Sequence, residues 1–224
     1  MNKIFVIDGT DGSGKQTQIE KLCETFEKEN IAYAKFSFPR YDNPSSTFVK
    51  MYLNGEFGTD AQMISPYVAS SFYALDRYVC YMQEMKKEIE DNKIIILDRY
   101  TTANMVHQAG KIKNIAEREK FLEWLYDFEF NKLGLPKPTK VFFLDMPLEK
   151  SEELMKNRLN KINNETKKDI HESNQEHLKA AYEAGIYVSQ KYNWEHIKCC
   201  DENNKIRTID DIHNEIYQTV RKYL

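Results

Sequence analysis

Gly9-Thr10-Asp11-Gly12-Ser13-Gly14-Lys15 is the stretch that most restricts what this chain can fold into. An apolar run, Ile4-Phe5-Val6-Ile7, precedes it. A helical pattern from Thr17 to about Glu29 follows, with Ile19, Leu22, Cys23 and Phe26 on one face. Strand, glycine-rich turn and helix, in that order, are the setting a phosphate-binding loop needs. Gly9, Gly12 and Gly14 let the backbone N–H groups of the loop, Ser13 among them, turn inward around phosphate oxygens. The helix N-terminus adds partial positive charge, and Lys15 supplies a mobile full charge for the terminal phosphates. An ordinary glycine turn is the competing reading, and the matching flanks argue against it. One position is irregular: the pattern puts Ser or Thr directly after the lysine to bind Mg²⁺, whereas here Gln16 stands there and Thr17 comes one residue late. Either carboxylates and nucleotide hold the metal, or Thr17 contributes from one step around the helix.

Four further runs read as buried strands: Tyr33–Phe38, Lys93–Leu97, Lys140–Leu144 and His196–Cys199, joining Lys3–Ile7. Helical patterns lie between them at Gln16–Glu29, Asp60–Asp91, Asn114–Leu133, Leu148–Leu159, Glu172–Lys191 and Ile209–Tyr223. Alternation of this kind predicts an α/β fold, a doubly wound five-stranded parallel sheet with ligands at the strand C-terminal ends. The 224 residues suit a single domain, 1–224, with no internal repeat and no Pro/Ser-rich linker.

Composition excludes several function classes. A net charge of −3 gives no global field for nucleic acid or a membrane surface, so basic residues act locally. No apolar run approaches membrane-spanning length, and the first strand follows Met1-Asn2-Lys3 too closely for a signal peptide. The four cysteines show no C-x-x-C spacing, which predicts free thiols in a reducing cytoplasm. The only marked composition shift is 157–169, polar and basic. It reads either as a solvated loop or as a short mobile lid bringing Arg158, Lys161, Lys167 or Lys168 over the phosphates.

Phe38-Pro39-Arg40-Tyr41 ends the second strand and Asp98-Arg99-Tyr100 ends the third, so both face the crevice of the phosphate loop. Arg40 and Arg99 are planar donors suited to phosphate oxygens, and with Lys15 they imply more than one phosphate group. Asp98 reads equally as a salt-bridge partner for Arg99 or as a magnesium or water contact. Tyr73 and Arg77, four residues apart, share a helix face and could clamp a base, or simply belong to an amphipathic helix. Asn104 could pair with a base imide through its amide, and His107 could be an ordinary core histidine.

Together these stretches resemble the thymidylate kinase family across essentially the whole chain. The resemblance rests on the phosphate loop with Asp11, Phe38-Pro39-Arg40-Tyr41, Tyr73-Ala74-Leu75-Asp76-Arg77, Asp98-Arg99-Tyr100 and Leu133-Gly134-Leu135-Pro136-Lys137-Pro138. It implies a P-loop NTPase-type fold and transfer of the γ-phosphoryl group of ATP to dTMP, with Mg²⁺. In this family Gly9 to Thr17 would cradle the ATP phosphates, with Lys15 as the charge. Asp11 would meet the deoxyribose 3′-hydroxyl or the metal. Arg99 would bridge donor and acceptor phosphates, and Phe38, Pro39, Arg40 and Tyr41 would line the dTMP side. Tyr73 would stack on thymine, Arg77 would contact its O4, and Asn104 and His107 would complete the pocket. Glu172 matches an acidic position tied to magnesium. Gly12 stands where one branch of the family carries an arginine, so the lid would supply the catalytic cation, for which Arg158 is the candidate. The resemblance also implies a homodimer, with helices near the second and third strands packed across a two-fold axis.

The acceptor phosphate has a second pKa near 6 and is already an anionic nucleophile at neutral pH, so no general base is expected. Another nucleoside monophosphate kinase is the alternative within the class. A GTP-binding switch is the rival from another class: Thr166-Lys167-Lys168-Asp169 resembles a guanine-reading motif, but it follows a polar run instead of a strand.

Overall fold

A computed structural model describes residues 3–58, 63–155 and 175–224. Its five strands form one parallel sheet: β1 Ile4–Gly9, β2 Tyr33–Ser37, β3 Ile94–Asp98, β4 Lys140–Asp145 and β5 Glu195–Lys198, in the spatial order β2-β3-β1-β4-β5. The register pairs Val6 with Leu97 on one side and with Val141 on the other. That places the C-terminal ends of β1 and β3, hence Gly9 and Arg99, at the same rim.

The helices are α1 Lys15–Lys28, α2 Thr47–Leu53, α3 Pro66–Cys80, α4 Lys86–Glu90, α5 Thr101–His107, α6 Ile115–Tyr126, α7 Leu148–Met155, α8 Gln175–Lys191 and α9 Ile209–Arg221. Alternate residues of the central strands feed opposite faces of the sheet. Ile4, Val6, Ile95 and Leu97 pack with Phe121, Leu122 and Leu125 of α6. Phe5, Ile7, Ile94 and Ile96 pack with Ile19, Leu22 and Phe26 of α1 and Ile212, Ile216 and Val220 of α9. Because both faces are covered, β1 and β3 are fully buried, and that is why they read as unbroken apolar runs.

Several boundaries and one burial assignment differ from expectation. The edge strand β2 is only partly buried, since one side has no neighbouring strand and its alternate residues Lys35 and Ser37 face solvent. The pattern Asp60–Asp91 resolves into α3 and α4, joined by a wide turn at Tyr81–Met85, and α3 starts at Pro66. Ser65 caps that start, accepting from the Tyr67 N–H, and Pro66 sits where a missing N–H is harmless. The pattern Asn114–Leu133 likewise becomes α6 followed by a wide turn at Asp127–Lys132. Two short helices, α2 and α5, were not expected as elements. The proposed lid 157–169, with Arg158, Lys161, Lys167 and Lys168, and the acidic Glu172 lie outside the described residues.

Candidate active site

At the end of β1 the chain turns through Gly12 and Gly14, with φ of +77° and +89°, a left-handed region that favours glycine. Gly12 has a second constraint. A Cβ built on it would lie 2.5 Å from the Ser151 carbonyl oxygen and 2.8 Å from Met155 Cγ, so α7 packs directly on the loop there. A larger residue such as arginine has no room at this position.

Lys15 opens α1 and is 8% exposed. Its ammonium folds back to donate to the Gly9 carbonyl at 2.9 Å and the Thr10 carbonyl at 2.8 Å. Burial, with the Arg99 charge nearby, pushes its pKa down to about 8. Around it lie polar atoms that are buried with no hydrogen-bond partner: Thr10 Oγ1, Ser13 Oγ and Asp98 Oδ1. Such atoms carry a desolvation cost that a ligand can relieve. The cavity beside them, ≈ 370 Å³, is lined by Gly12, Gly14, Lys15, Asp98, Arg99 and Met155 among others. Gln16 points to the helix surface, donating to Glu20 Oε1 at 2.9 Å.

Arg99 follows β3 with φ of +63°, a conformation that non-glycine residues adopt mainly where the surroundings enforce it. One Nη donates to Asp11 in an ion pair, and the other donates to His107 Nε2 at 2.7 Å. Burial and the Arg99 charge hold His107 well below its ordinary pKa, so the imidazole is neutral and its Nε2 lone pair accepts. The charges of Asp11, Asp8 and Asp98 keep Arg99 firmly protonated despite its burial. Tyr41 also lies within electrostatic reach of Arg99. Of the two readings of Asp98, the ion-pair one is answered: the described partner of Arg99 is Asp11, while Asp98 Oδ2 accepts from Ser37 Oγ at 3.0 Å.

In the last turn of α3, Arg77 is 1% exposed and its Nε and Nη2 donate to Glu129 at 2.7 and 2.5 Å. Thr101 Oγ1 donates to the same carboxylate at 2.7 Å, and Asn104 Nδ2 reaches it at 3.4 Å. Tyr73, on α3 with Arg77, meets the Tyr52 ring edge-on at 6.4 Å between centroids. Gln108, one helical turn beyond Asn104, is 1% exposed and its Oε1 has no partner.

Lys15, Asp11, Arg99, Tyr41 and His107 therefore converge, and Arg77 and Asn104 converge on Glu129. Arg40 is placed differently. Its guanidinium donates to Asp76, Glu84 and Ser45, and its backbone N–H donates to Asp76 at 2.9 Å. Phe38 precedes a cis peptide bond to Pro39 and packs in the core against Tyr100, 6.1 Å between ring centroids. Glu129 and Gln108 were not anticipated. Glu129 sits among Asp127, Phe128 and Phe130, where its charge reads as solvent-facing. The only hint was a carboxylate between aromatics that needs a buried partner.

The family model described as thymidylate kinase matches residues 7–198. The chain belongs to the thymidylate kinase family. A Mycobacterium tuberculosis thymidylate kinase is 32% identical over 136 residues, 60% of this chain and 62% of that protein. A probable thymidylate kinase of Thermococcus onnurineus is 27% identical over 98% of both chains. The fold matches a solved Candida albicans thymidylate kinase with a TM-score of 0.71, over 99% of this chain and 92% of that one, at 18% identity. Among the described residues no helix is long and apolar enough to cross a membrane.

Proposed function

We propose that this chain transfers the γ-phosphoryl group of ATP to dTMP, giving dTDP and ADP. The observation that carries this reading is the meeting of two cations, buried Lys15 and partly buried Arg99, beside a glycine loop with unpartnered hydroxyls. One cation serves a single phosphate chain; two, from separate strand ends, suit a donor and an acceptor phosphate lying end to end. Family membership names thymidylate as the acceptor. Arg77 and Asn104, braced on the same Glu129 carboxylate, with Tyr73 on the helix that carries Arg77, would receive its base.

The phosphorylated acceptor is already a nucleophile, so the residues align and neutralise instead of moving protons. Lys15 leaves the Gly9 and Thr10 carbonyls for the donor phosphates. Loop N–H groups and Ser13 Oγ hold the same anions. Arg99, fixed by Asp11 and neutral His107, presents positive charge between the two phosphates.

The donor set also fits Mg²⁺. Asp98 Oδ1 is buried without a partner beside Lys15, and Asp11 borders the same cavity. The described residues hold no group of three or more metal-ligating side chains. A cation held by one or two carboxylates together with substrate phosphates and water requires no such group. When bound it would supply further charge neutralisation at the phosphates.

Pairing as a homodimer is part of the same reading. Val68, Leu75 and Met82 recur every seventh residue along one face of α3 and its extension, each 45–51% exposed, with Phe48 of α2 53% exposed. Exposed apolar side chains on α2 and α3 suit contact with a second copy of the chain, and light scattering at micromolar concentration tests it. All four cysteines are free, in keeping with a reducing cytoplasm.

A coupled ADP-release assay across the deoxynucleoside monophosphates, with ATP or GTP as donor, tests the activity. ATP consumption that depends on dTMP supports it. Preference for another monophosphate shifts the reading to a related kinase. GTP binding with no response to dTMP would indicate a switch protein and overturn it.

A further inference from the structure

Resting on the thymidylate reading, we infer that Glu129 is the positioning residue that makes the base pocket read a keto-imide edge and reject an amino-pyrimidine edge. Four donors fill it: Arg77 Nε, Arg77 Nη2, Thr101 Oγ1 and Asn104 Nδ2. A carboxylate offers about four acceptor sites, so its capacity is used. It is 0% exposed, and no water competes for it.

Saturation at Glu129 fixes what its partners have left. Arg77 uses the Nε–Nη2 edge on the carboxylate, so Nη1, which makes no hydrogen bond among the described residues, is the donor turned elsewhere. Asn104 is oriented by the same logic. Its nitrogen lies 3.3 Å from the Ser70 carbonyl and 3.4 Å from Glu129, and both neighbours only accept. The amide must put Nδ2 toward them and leave Oδ1 as its outward group. The pocket therefore offers one donor from Arg77 and one acceptor from Asn104. A thymine or uracil edge carries the complement, a carbonyl acceptor at O4 beside an N3–H donor. A cytosine edge carries the reverse and would face donor against donor and acceptor against acceptor.

Glu129 occupies its place because α6 gives way to a wide turn at Asp127–Lys132. The turn brings Glu129 and Phe130, adjacent in sequence, both inside. Wide turns of this type recur at functional sites.

The test is the ratio of kcat/KM for dTMP to that for dCMP in wild type, Glu129→Gln and Glu129→Asp. Glutamine keeps the shape but replaces one carboxylate oxygen with an N–H₂ donor; whichever oxygen is replaced, Arg77 Nε or Nη2 then faces a donor, so the guanidinium must turn. The expected result in Glu129→Gln is a KM for dTMP raised tenfold or more and a dTMP:dCMP ratio reduced tenfold or more. The kcat should stay within about threefold, because the phosphate end is untouched. A purely structural strut would lower activity toward both substrates alike, and an unchanged ratio in a folded variant overturns the proposal. Should glutamine fail to fold, aspartate, which withdraws the carboxylate by one methylene, is read by the same ratio. Failure of both to fold makes Glu129 a strut and overturns the proposal too. A wild-type enzyme that ignores dTMP defeats the functional reading instead, and one that uses dTMP and dCMP equally defeats this inference alone.

Discussion

Lys15 and Arg77 are both cations shut away from water, 8% and 1% exposed, and they are satisfied in opposite ways. Arg77 has a full counter-charge at bonding distance and a third and fourth residue bracing that counter-charge. Among the described residues Lys15 hydrogen-bonds two backbone carbonyls and no carboxylate, and Thr10, Ser13 and Asp98 nearby keep buried atoms unpartnered. The difference teaches how one cleft can serve two demands. The base end is complete before substrate arrives, which suits discrimination between bases. The phosphate end is left incomplete, so the arriving anion supplies the acceptors that the Lys15 ammonium and the Thr10 and Ser13 hydroxyls lack.

The sharpest way to break this comparison is to remove each cation. Arg77→Ala strands Glu129 as a buried, uncompensated charge, and breaking such a pair typically costs about 3–5 kcal/mol. Urea denaturation should show a loss of that size. Lys15→Ala and Arg99→Ala should behave the other way. Each should lower kcat by about 100-fold or more, because each removes charge stabilisation made at the transferring phosphate. For Lys15→Ala the melting temperature should hold or rise, since a desolvated ammonium is lost. A Lys15→Ala variant that unfolds, or an Arg77→Ala variant of unchanged stability, would show the two ends to be built alike.

This contrast also explains what could be read in the chain. The phosphate loop was legible because its chemistry is local: glycines, lysine and helix start follow one another within nine residues, Gly9 to Thr17. The sheet was legible because β1, β3 and β4 are buried apolar runs. Arg77 and Glu129 meet across 52 positions, and neither residue announces the other. The turn that carries Glu129 inward also departs from the 3.6-residue period on which sequence patterns rest. The helix α2 was missed for a similar reason. Asn43-Pro44-Ser45-Ser46 reads as a loop, and only the burial of Val49, Tyr52 and Leu53 against Ala69 of α3 stabilises the short helix after it.

A smaller effect sharpens the account of Lys15. Its free-state pKa of about 8 lies below the ordinary 10.5, and phosphate beside the ammonium favours the charged form. Between these values the free protein carries a neutral amine and the ATP complex an ammonium, so binding takes up a proton. Calorimetry in two buffers of different ionisation enthalpy should find uptake of about half a proton at pH 8, rising toward about one at pH 9. Affinity should weaken by up to about tenfold per pH unit above 8 and stay level below it. Stability of the free protein runs in the opposite sense. The unfolded chain binds more protons across that window, so this group adds stability as pH rises from 8 to 10.5. Subtracting the curve for Lys15→Ala isolates the contribution, and a flat difference would mean that Lys15 is not strained in the free state.

The smallest expected effect asks what sets the position of α3, which carries Tyr73 and Arg77. Two candidates exist: the Ser65 cap at its start, at 3.2 Å from the Tyr67 N–H, and the Arg77–Glu129 clamp in its last turn. Ser65→Ala removes the first and should cost about 1 kcal/mol, the ordinary worth of such a cap. Hydrogen exchange should quicken in the first turn, Pro66–Ala69, and nowhere beyond it, because the buried pair holds the opposite end of the helix. KM for dTMP should then match the wild type. A raised KM would mean that fraying at the cap reaches the base pocket, and the pre-formed end of the cleft would owe its rigidity to the helix start and not to Glu129.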